Sequence, residues 1–421
     1  MFMILISFPA VAKEVLTWSD CVKIVSKNNP DIRSSYESLR SQESLSRSAY
    51  SGFFPKLSAN YSISKGTAFS FSEVSGSPTS FFSTGTTSNT SSASLSATQN
   101  LFAGFQDSAL VSQGSAGKEV ASAQYDITKV QVSYSLRTAF AELLYAQNYL
   151  TLSRDIVKRR AQNADMVELR YESGIENKGS YLLAKALLGQ AKYDVLVAKD
   201  LMRVASQKLM AVLGRSELDE VELSGDEPTS TPPTDPNFQK LATDTPELRQ
   251  ATFQAEKSEA GVTLARSKFF PNLNAVGATS AQGGGWSPEN GKNSIGLNIS
   301  LPLLNGGKDY YDYKSSVAVY SSSSYQKTSV AQQLLPKLKS AYSAYVEAVE
   351  KLNVDKAFLD AGIVRAEIAT SKYENGLMSF EDWDIIENDL ITKQKNVLQS
   401  DRNRVAAEAG WEQAQGKGVI R

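Results

Sequence analysis

The residue types able to do active-site chemistry in this chain are limited. It has 421 residues, with 44 Lys+Arg, 45 Asp+Glu, no histidine and a single cysteine, Cys21. Without histidine there is no nucleophile–imidazole triad and no imidazole metal ligand, and one cysteine allows neither an internal disulfide nor a thiolate cluster. Carboxylate chemistry is left, with Glu142 and Asp155 as residue types that could pair as acid and base. No nucleophile elbow, phosphate loop or dinucleotide fingerprint accompanies them, so neither an enzyme nor a cofactor is expected. A second acidic group, Glu381, Asp382 and Asp384, follows the segment Tyr373-Glu374-Asn375-Gly376-Leu377. Such carboxylates either suit the positive end of a helix or, repeated around an axis, form a ring that attracts cations and repels anions. The formal charge of −1 gives no pull toward nucleic acid.

The elements that would position these groups occur twice. Asn29-Pro30-Asp31-Ile32-Arg33 matches Thr245-Pro246-Glu247-Leu248-Arg249, and Phe53-Phe54-Pro55-Lys56-Leu57 matches Phe269-Phe270-Pro271-Asn272-Leu273. Further on, Asn100-Leu101-Phe102-Ala103-Gly104 lies over Pro302-Leu303-Leu304-Asn305-Gly306. Likewise Arg170-Tyr171-Glu172-Ser173-Gly174 lies over Lys372-Tyr373-Glu374-Asn375-Gly376. Matching punctuation in the same order implies one structural unit used twice. The expected organisation is a leader over 1–12, a first repeat over 13–215, a linker over 216–236 and a second repeat over 237–421. The leader is the apolar run MFMILISFPAVA, ending in Ala10-Val11-Ala12, and it resembles a secretory signal peptide without its positive region. A buried amino-terminal strand is the other reading of that run. Cys21 is expected on a helix, buried.

Within each repeat, segments alternate apolar with small polar residues. Leu57, Ala59, Tyr61 and Ile63 stand against Ser58, Asn60, Ser62 and Ser64, and Ile295, Leu297, Ile299 and Leu301 against Gly296, Asn298 and Ser300. This is the period of a strand with one apolar and one wet face. The Ser/Thr/Gly-rich stretches at about Gly66–Ser92 and Gln282–Asn293 read as exposed hairpin loops. After each strand pair a heptad series sets in, with Leu136, Leu143, Leu150, Val157, Ala164 and Tyr171 in the first repeat. The second repeat has Leu338, Tyr345, Leu352, Leu359, Ala366 and Tyr373. The returning helices carry Tyr181, Leu188, Val195, Met202 and Leu209, then Trp383, Leu390, Val397 and Trp411. Sustained heptads indicate coiled-coil packing. Pro336 predicts a kink or break, and SGDEPTSTPPTDP over Ser224–Pro236 reads as an outer linker.

Pro55 and Pro271 stop a helix before a strand, while Gly104 and the pair Gly306-Gly307 permit the switch back to helix. No apolar run of ~18 residues follows Ala12, so no transmembrane helix is expected. Each repeat supplies two strands, four in all, and four strands cannot close a membrane barrel. Either the chain oligomerises or the strands are not in a membrane. Three copies would give twelve strands around a water-filled lumen.

Helix, Phe-Phe-Pro, strand, Ser/Thr-rich stretch, strand, glycine, very long helix, Tyr-x-x-Gly turn and returning helix, all duplicated, resemble the TolC-type outer-membrane efflux channels. The likeness covers Leu16 to about Gly416. It implies a membrane α+β fold: a trimeric 12-stranded β-barrel with four strands per chain, continued by a long antiparallel coiled-coil α-helical barrel across the periplasm. The function it implies is a passive exit duct in a tripartite efflux or type I secretion system. The partners it implies are two further copies, outer-membrane lipid, a periplasmic adaptor and an inner-membrane pump of RND or ABC type. By resemblance Tyr171, Gly174, Ile175, Gly376 and Leu377 are adaptor-docking tips, or turn formers alone. Asp382 matches an acidic position of the closed entrance and Tyr373 a tyrosine of its constriction, with Glu381 and Asp384 beside them. The family's second inward acid falls on Ile385, and Met378 replaces a basic partner found in some members. Lys178 is placed to pair with Asp382 or Glu381 across the tip. The competing expectation is a periplasmic coiled-coil scaffold without channel activity.

Overall fold

The computed structural model describes residues 14–73, 81–215, 221–284 and 287–420, so the leader expected over 1–12 lies outside the described residues. The chain begins with β1 (Glu14–Leu16), α1 (Trp18–Asn28), α2 (Pro30–Ser48) and a 3-10 turn (Ala49–Phe53). Then follow β2 (Lys56–Glu73), β3 (Phe81–Ala103), α3 (Gln106–Glu172) and α4 (Lys178–Val212). The second half has β4 (Val221–Leu223), α5 (Phe238–Thr243), α6 (Pro246–Ser267), β5 (Asn272–Gly284), β6 (Asn290–Ser300), α7 (Lys308–Glu374) and α8 (Phe380–Ala414). The long helices α3 and α7 have 67 residues each, and the returning helices α4 and α8 have 35 each. No helix among the described residues is long and apolar enough to cross a membrane.

The chain divides into two compact units. One comprises the described parts of 1–38, 122–249 and 328–421 and is mainly helical. Its first helix starts at a capping box: Thr17 Oγ1 accepts from the Asp20 amide and Asp20 accepts from the Thr17 amide. Cys21 and Val25 on that helix are fully buried with Leu136, Phe140 and Leu143 of α3 and Leu209 and Met210 of α4. The heptad of α7 is buried at Leu338, Tyr345, Leu352, Ala366 and Tyr373. On α4 the enclosed seam is Ala184, Ala191, Ala198 and Ala205, one residue per heptad, whereas the expected Tyr181, Leu188 and Val195 are only half-buried beside it. Small residues on the seam let helix axes approach, and the larger ones cover its flanks. α7 runs through Pro336 without a break, because the long flanking helical segments hold the backbone on either side of one lost hydrogen bond.

This unit also holds a pairing too short to show periodicity. β1 and β4 form a two-stranded parallel sheet, Leu16 against Leu223, with Leu16, Val221 and Leu223 buried. The described strands therefore number six rather than four, and the linker expected over 216–236 contains one of them.

The other unit comprises 39–121 and 250–327 and holds an antiparallel sheet in the order β2-β3-β5-β6. Its strands run further than composition suggests. β2 reaches Glu73 and β3 begins at Phe81, so most of the stretch expected as a loop is ladder, and residues 74–80 lie outside the described ones. In the second hairpin β5 reaches Gly284 and β6 starts at Asn290. Ser and Thr hydroxyls cost an antiparallel ladder nothing when one face is wet, so low complexity does not end a strand. Pro55 and Pro271 each stand one residue before a strand. Gly104 has φ of 61°, and a Cβ there would lie 2.5 Å from Phe270 Cβ and 2.6 Å from the Ser267 carbonyl oxygen, so only glycine fits. Gly306 and Gly307 also have positive φ, 56° and 80°, while the residue matching Gly307 in the first repeat is Phe105, at φ 70°. A phenylalanine in the left-handed region is strained, and edge-on packing against Phe102 and Phe270 holds it there.

Candidate functional site: the hairpin tips and the strand faces

Each long helix ends in the same reversal. The Gly174 amide donates to the Tyr171 carbonyl and the Ile175 amide to the Arg170 carbonyl, at 3.0 and 2.9 Å. In the second tip Gly376 donates to Tyr373 and Leu377 to Lys372, at 3.0 and 2.8 Å. Both glycines have φ of 73°, the left-handed conformation that lets a helix close on its own last carbonyls. The next residue is thrown outward: Ile175 is 66% and Leu377 76% exposed. Asn177 and Ser379 then cap the returning helices, accepting from the Ser180 and Asp382 amides.

Aromatic rings lie behind the turns. Tyr171 stacks on Tyr181 at 5.3 Å, and the Tyr181 hydroxyl donates to Glu168. Tyr373 stacks on Trp383 at 4.4 Å with planes 8° apart, and the Trp383 indole donates to Thr370. Tyr373 is fully buried within its own chain. The Arg170 guanidinium lies 4.8 Å over its ring, and its hydroxyl donates to Glu176 of the first tip at 3.0 Å. Burial, and then the Glu176 carboxylate, push the phenol far above its ordinary pKa.

The acidic group divides. Asp384 accepts from Arg160 at 2.9 Å and is already paired within the chain. Glu381 and Asp382 are exposed, and the Asp382 carboxylate accepts from the Ser379 hydroxyl at 2.9 Å. Lys178 is exposed and makes no ion pair among the described residues, so the expected pairing with Asp382 or Glu381 is not made within one chain. The spacing argument placed the lysine beside the right turn, but α4 starts there and its first residue points into solvent.

Sequence reasoning missed the groups that tie the hairpins together. Glu387, 1% exposed, accepts from Arg159 Nε and a terminal nitrogen at 2.6 and 2.7 Å and from Asn163 at 3.3 Å. Arg160 also donates to Asn388. The available signal was Glu387 itself, a carboxylate four residues after Trp383 on the seam that continues to Leu390. Glu142 and Asp155 do not meet: thirteen residues apart on α3, they are separated by about 20 Å of helix. Glu142 is instead within 3.4 Å of Arg402. Among the described residues no group of three or more Cys, Asp and Glu is gathered as a metal site.

The sheet sorts its residues by face. Leu57, Ala97, Gly277 and Ile295 stand side by side across the strands, and the next pairs along β5 and β6 are Ala275 with Leu297 and Leu273 with Ile299. Leu57 is 73%, Ile295 93%, Leu297 70% and Ile299 72% exposed, so this apolar face has no cover within the chain. The opposite face carries Ser58 against Ser96 and Ser62 against Ser92, with hydroxyl–hydroxyl bonds of 2.7 and 2.8 Å.

Residues 22–215 and 237–417 match the family model described as outer membrane efflux protein. The chain belongs to the outer membrane efflux protein family. That membership places it in the outer membrane. Nodulation protein T of Rhizobium leguminosarum bv. trifolii is 22% identical over 306 residues, covering 70% of this chain and 65% of that protein. The probable outer membrane lipoprotein SilC of Salmonella typhimurium is 21% identical over 287 residues, covering 66% of this chain and 61% of that protein. The chain thus spans less than two thirds of these relatives' lengths. The crystal structure of the outer membrane protein VceC from Vibrio cholerae matches with a TM-score of 0.83 at 19% identity, covering 96% of both chains. The fold is therefore that of the TolC-type channels, mostly helical with a four-stranded sheet per chain.

In this chain the segment after β4 is pinned rather than loose. Arg137 of α3 is clasped by Glu227 and by Glu412 at 2.6 Å, with Glu408 at 3.5 Å. Glu408 accepts from the Ser230 amide and hydroxyl at 2.8 and 2.7 Å, and the Tyr342 hydroxyl donates to the Pro233 carbonyl. Three glutamates share this arginine, and one oxygen of buried Glu227 has no hydrogen-bond partner. Burial pushes Glu227 up to about 7; Arg137 opposes that, and Glu408 and Glu412 add to it.

Proposed function

We propose that three copies of this chain assemble into a passive exit duct across the periplasm and outer membrane. One observation carries this reading. The four-stranded sheet is open, with β2 and β6 at its edges, and its apolar face is bare. An uncovered apolar face is costly in water and unpaired edges are intolerable in lipid, and both are resolved when β6 of one copy pairs with β2 of the next in the membrane. Three sheets close a 12-stranded barrel, the serine-lined face becomes its lumen, and the long helices gather into a tunnel.

The duct serves a tripartite efflux or type I secretion system. A periplasmic adaptor, coupled to an inner-membrane pump of RND or ABC type, docks on the tips at Gly174, Ile175, Gly376 and Leu377, with Tyr171 behind them. The exposed apolar Ile175 and Leu377 support this role, since a turn alone needs only the glycines. Glu381 and Asp382 form the entrance ring, and no reaction is catalysed. The scaffold alternative leaves the bare sheet face unexplained.

Purified in detergent, the protein should have the mass of three chains and form ion-conducting pores in planar lipid bilayers. A monomer that neither partitions into detergent nor conducts would overturn the reading.

A further inference from the structure

The wet face of the sheet carries an unbalanced charge. Across the four strands Asn60, Ser94, Ser280 and Lys292 stand side by side. The neighbouring rows are Ser58, Ser96, Ala278 and Ser294, then Ser62, Ser92, Gln282 and Asn290. The four strands contain only four ionisable side chains besides tyrosine, Lys56, Lys65, Glu73 and Lys292. Register assigns Lys65 to the face of Leu57, leaving Lys56 and Lys292 on the wet face with no acid among the strand residues whose side chains are described. Lys56, at the start of β2, lines a small cavity that Asp107 also lines. Lys292 is exposed amid hydroxyls and amides; the acid nearest it in sequence, Glu289, belongs to the turn before β6.

We propose that Lys292 is a specificity-determining residue of the duct, making its strand-lined lumen favour anionic over cationic cargo. This rests on the threefold reading above. Twelve strands about 4.8 Å apart and tilted by about 40° enclose a radius of about 12 Å. A lysine reaching inward from that wall holds its ammonium within about one Debye length of the axis at physiological salt. Three such groups, with no carboxylate beside them in the rows of Asn60, Ser58 and Ser62, keep the section positive. Solutes passing by diffusion are enriched there if they carry carboxylate, phosphate or sulfonate groups.

The test reads the local potential directly, independent of the helical entrance. Cys21, the sole native cysteine, is fully buried and its thiol is pushed up to about 12 by that burial, so it stays silent to thiol reagents. Ser94→Cys places a reporter thiol two strands, about 10 Å, from Lys292. Reconstituted trimers are treated with an anionic reagent, sulfonatoethyl methanethiosulfonate, and a cationic one, trimethylammonioethyl methanethiosulfonate. The anionic-to-cationic rate ratio should fall about five-fold on adding Lys292→Gln, and further with Lys292→Glu. A reactive reporter thiol whose ratio is unchanged by either substitution overturns the inference and leaves the duct standing. A reporter thiol inert to both reagents in the assembled protein overturns the duct reading and this inference with it.

Discussion

At the hairpin tips nearly every buried polar group finds its partner inside one chain: Glu387 with Arg159 and Asn163, Asp384 with Arg160, Tyr373 with Glu176. On the sheet neighbouring strands pair along their length with one irregularity near Phe102, but many side chains stay exposed, from Ile295 at 93% on the apolar face to Ser58 and Ser62 opposite. The tips are therefore a finished structure, and the proposed duct would work through the few exposed groups left over, Ile175, Leu377, Glu381 and Asp382. The sheet is unfinished within one chain, and on the proposed reading lipid and other copies complete it. Substitutions at the tips should act on one chain's stability, and those on the sheet on assembly.

The largest break in that contrast comes from Arg159→Ala. It leaves Glu387, 1% exposed, with Asn163 as its one side-chain donor among the described residues. Stranding a buried charge costs about 3–5 kcal/mol, whereas removing both partners costs far less. Backbone hydrogen exchange over the tips should rise sharply in Arg159→Ala and return most of the way in Arg159→Ala/Glu387→Leu. If the single variant exchanges like the parent, the tips are not held by this pair.

On the sheet, Leu297→Arg should cost about 2–4 kcal/mol of membrane insertion, because an arginine then faces hydrocarbon near the middle of the apolar band. Its readout differs from that of the tip variant: the fraction recovered as trimer from outer membranes drops, while helical content stays. The same charge on the wet face, Ser280→Arg, should leave recovery unchanged. Equal losses from the two would mean that the faces are not sorted between lipid and water.

How much of this could be read beforehand follows the same division. Period-two alternation and duplicated heptads are repeated signals, so the strand faces, the long helices and the glycine reversals were legible. Strand length was not, since Ser and Thr runs look alike in a loop and in a wet-faced ladder. Three-residue β1 and β4 carry no period at all. At the tips the glycines and the exposed acids stood out, but the Arg159–Glu387 clamp joins residues 228 positions apart through folding alone. Only the misplaced carboxylate on the Trp383–Leu390 seam hinted at it. Tyr373 was expected at a constriction and is enclosed within its own chain, because Trp383, Phe380 and Arg170 surround it.

The pinned segment after β4 sharpens the comparison with a pH dependence. Glu227 has an ordinary value of 4.5 and is raised to about 7 in the folded chain. Between those values the folded state keeps a proton that the unfolded state releases, so stability falls as pH rises through the window. The effect is on the order of 3 kcal/mol. Glu227→Gln keeps the neutral form and should flatten the slope of melting temperature between about pH 5 and 7.5. A slope equal to the parent's would assign the titration elsewhere.

The smallest expected effect is also the cleanest comparison, because one kind of bond is deleted in both regions. Tyr373→Phe keeps the Trp383 stack and removes only the hydroxyl that donates to Glu176 at 3.0 Å. Ser62→Ala removes a hydroxyl bonded to Ser92 at 2.8 Å on the wet face. The distances are similar, but the solvent is not. A buried phenol with a carboxylate acceptor loses about 1 kcal/mol, since water replaces the partner poorly there. An exposed serine exchanges its neighbour for water at little cost, about 0.3 kcal/mol or less. Chemical denaturation of the detergent-solubilised protein, followed by tip hydrogen exchange and by trimer dissociation, separates the two. Tyr373→Phe should shift the first and leave the second, and Ser62→Ala should shift neither. If Ser62→Ala weakens the trimer as much as Tyr373→Phe loosens the tip, the serine face is dry and does not line water.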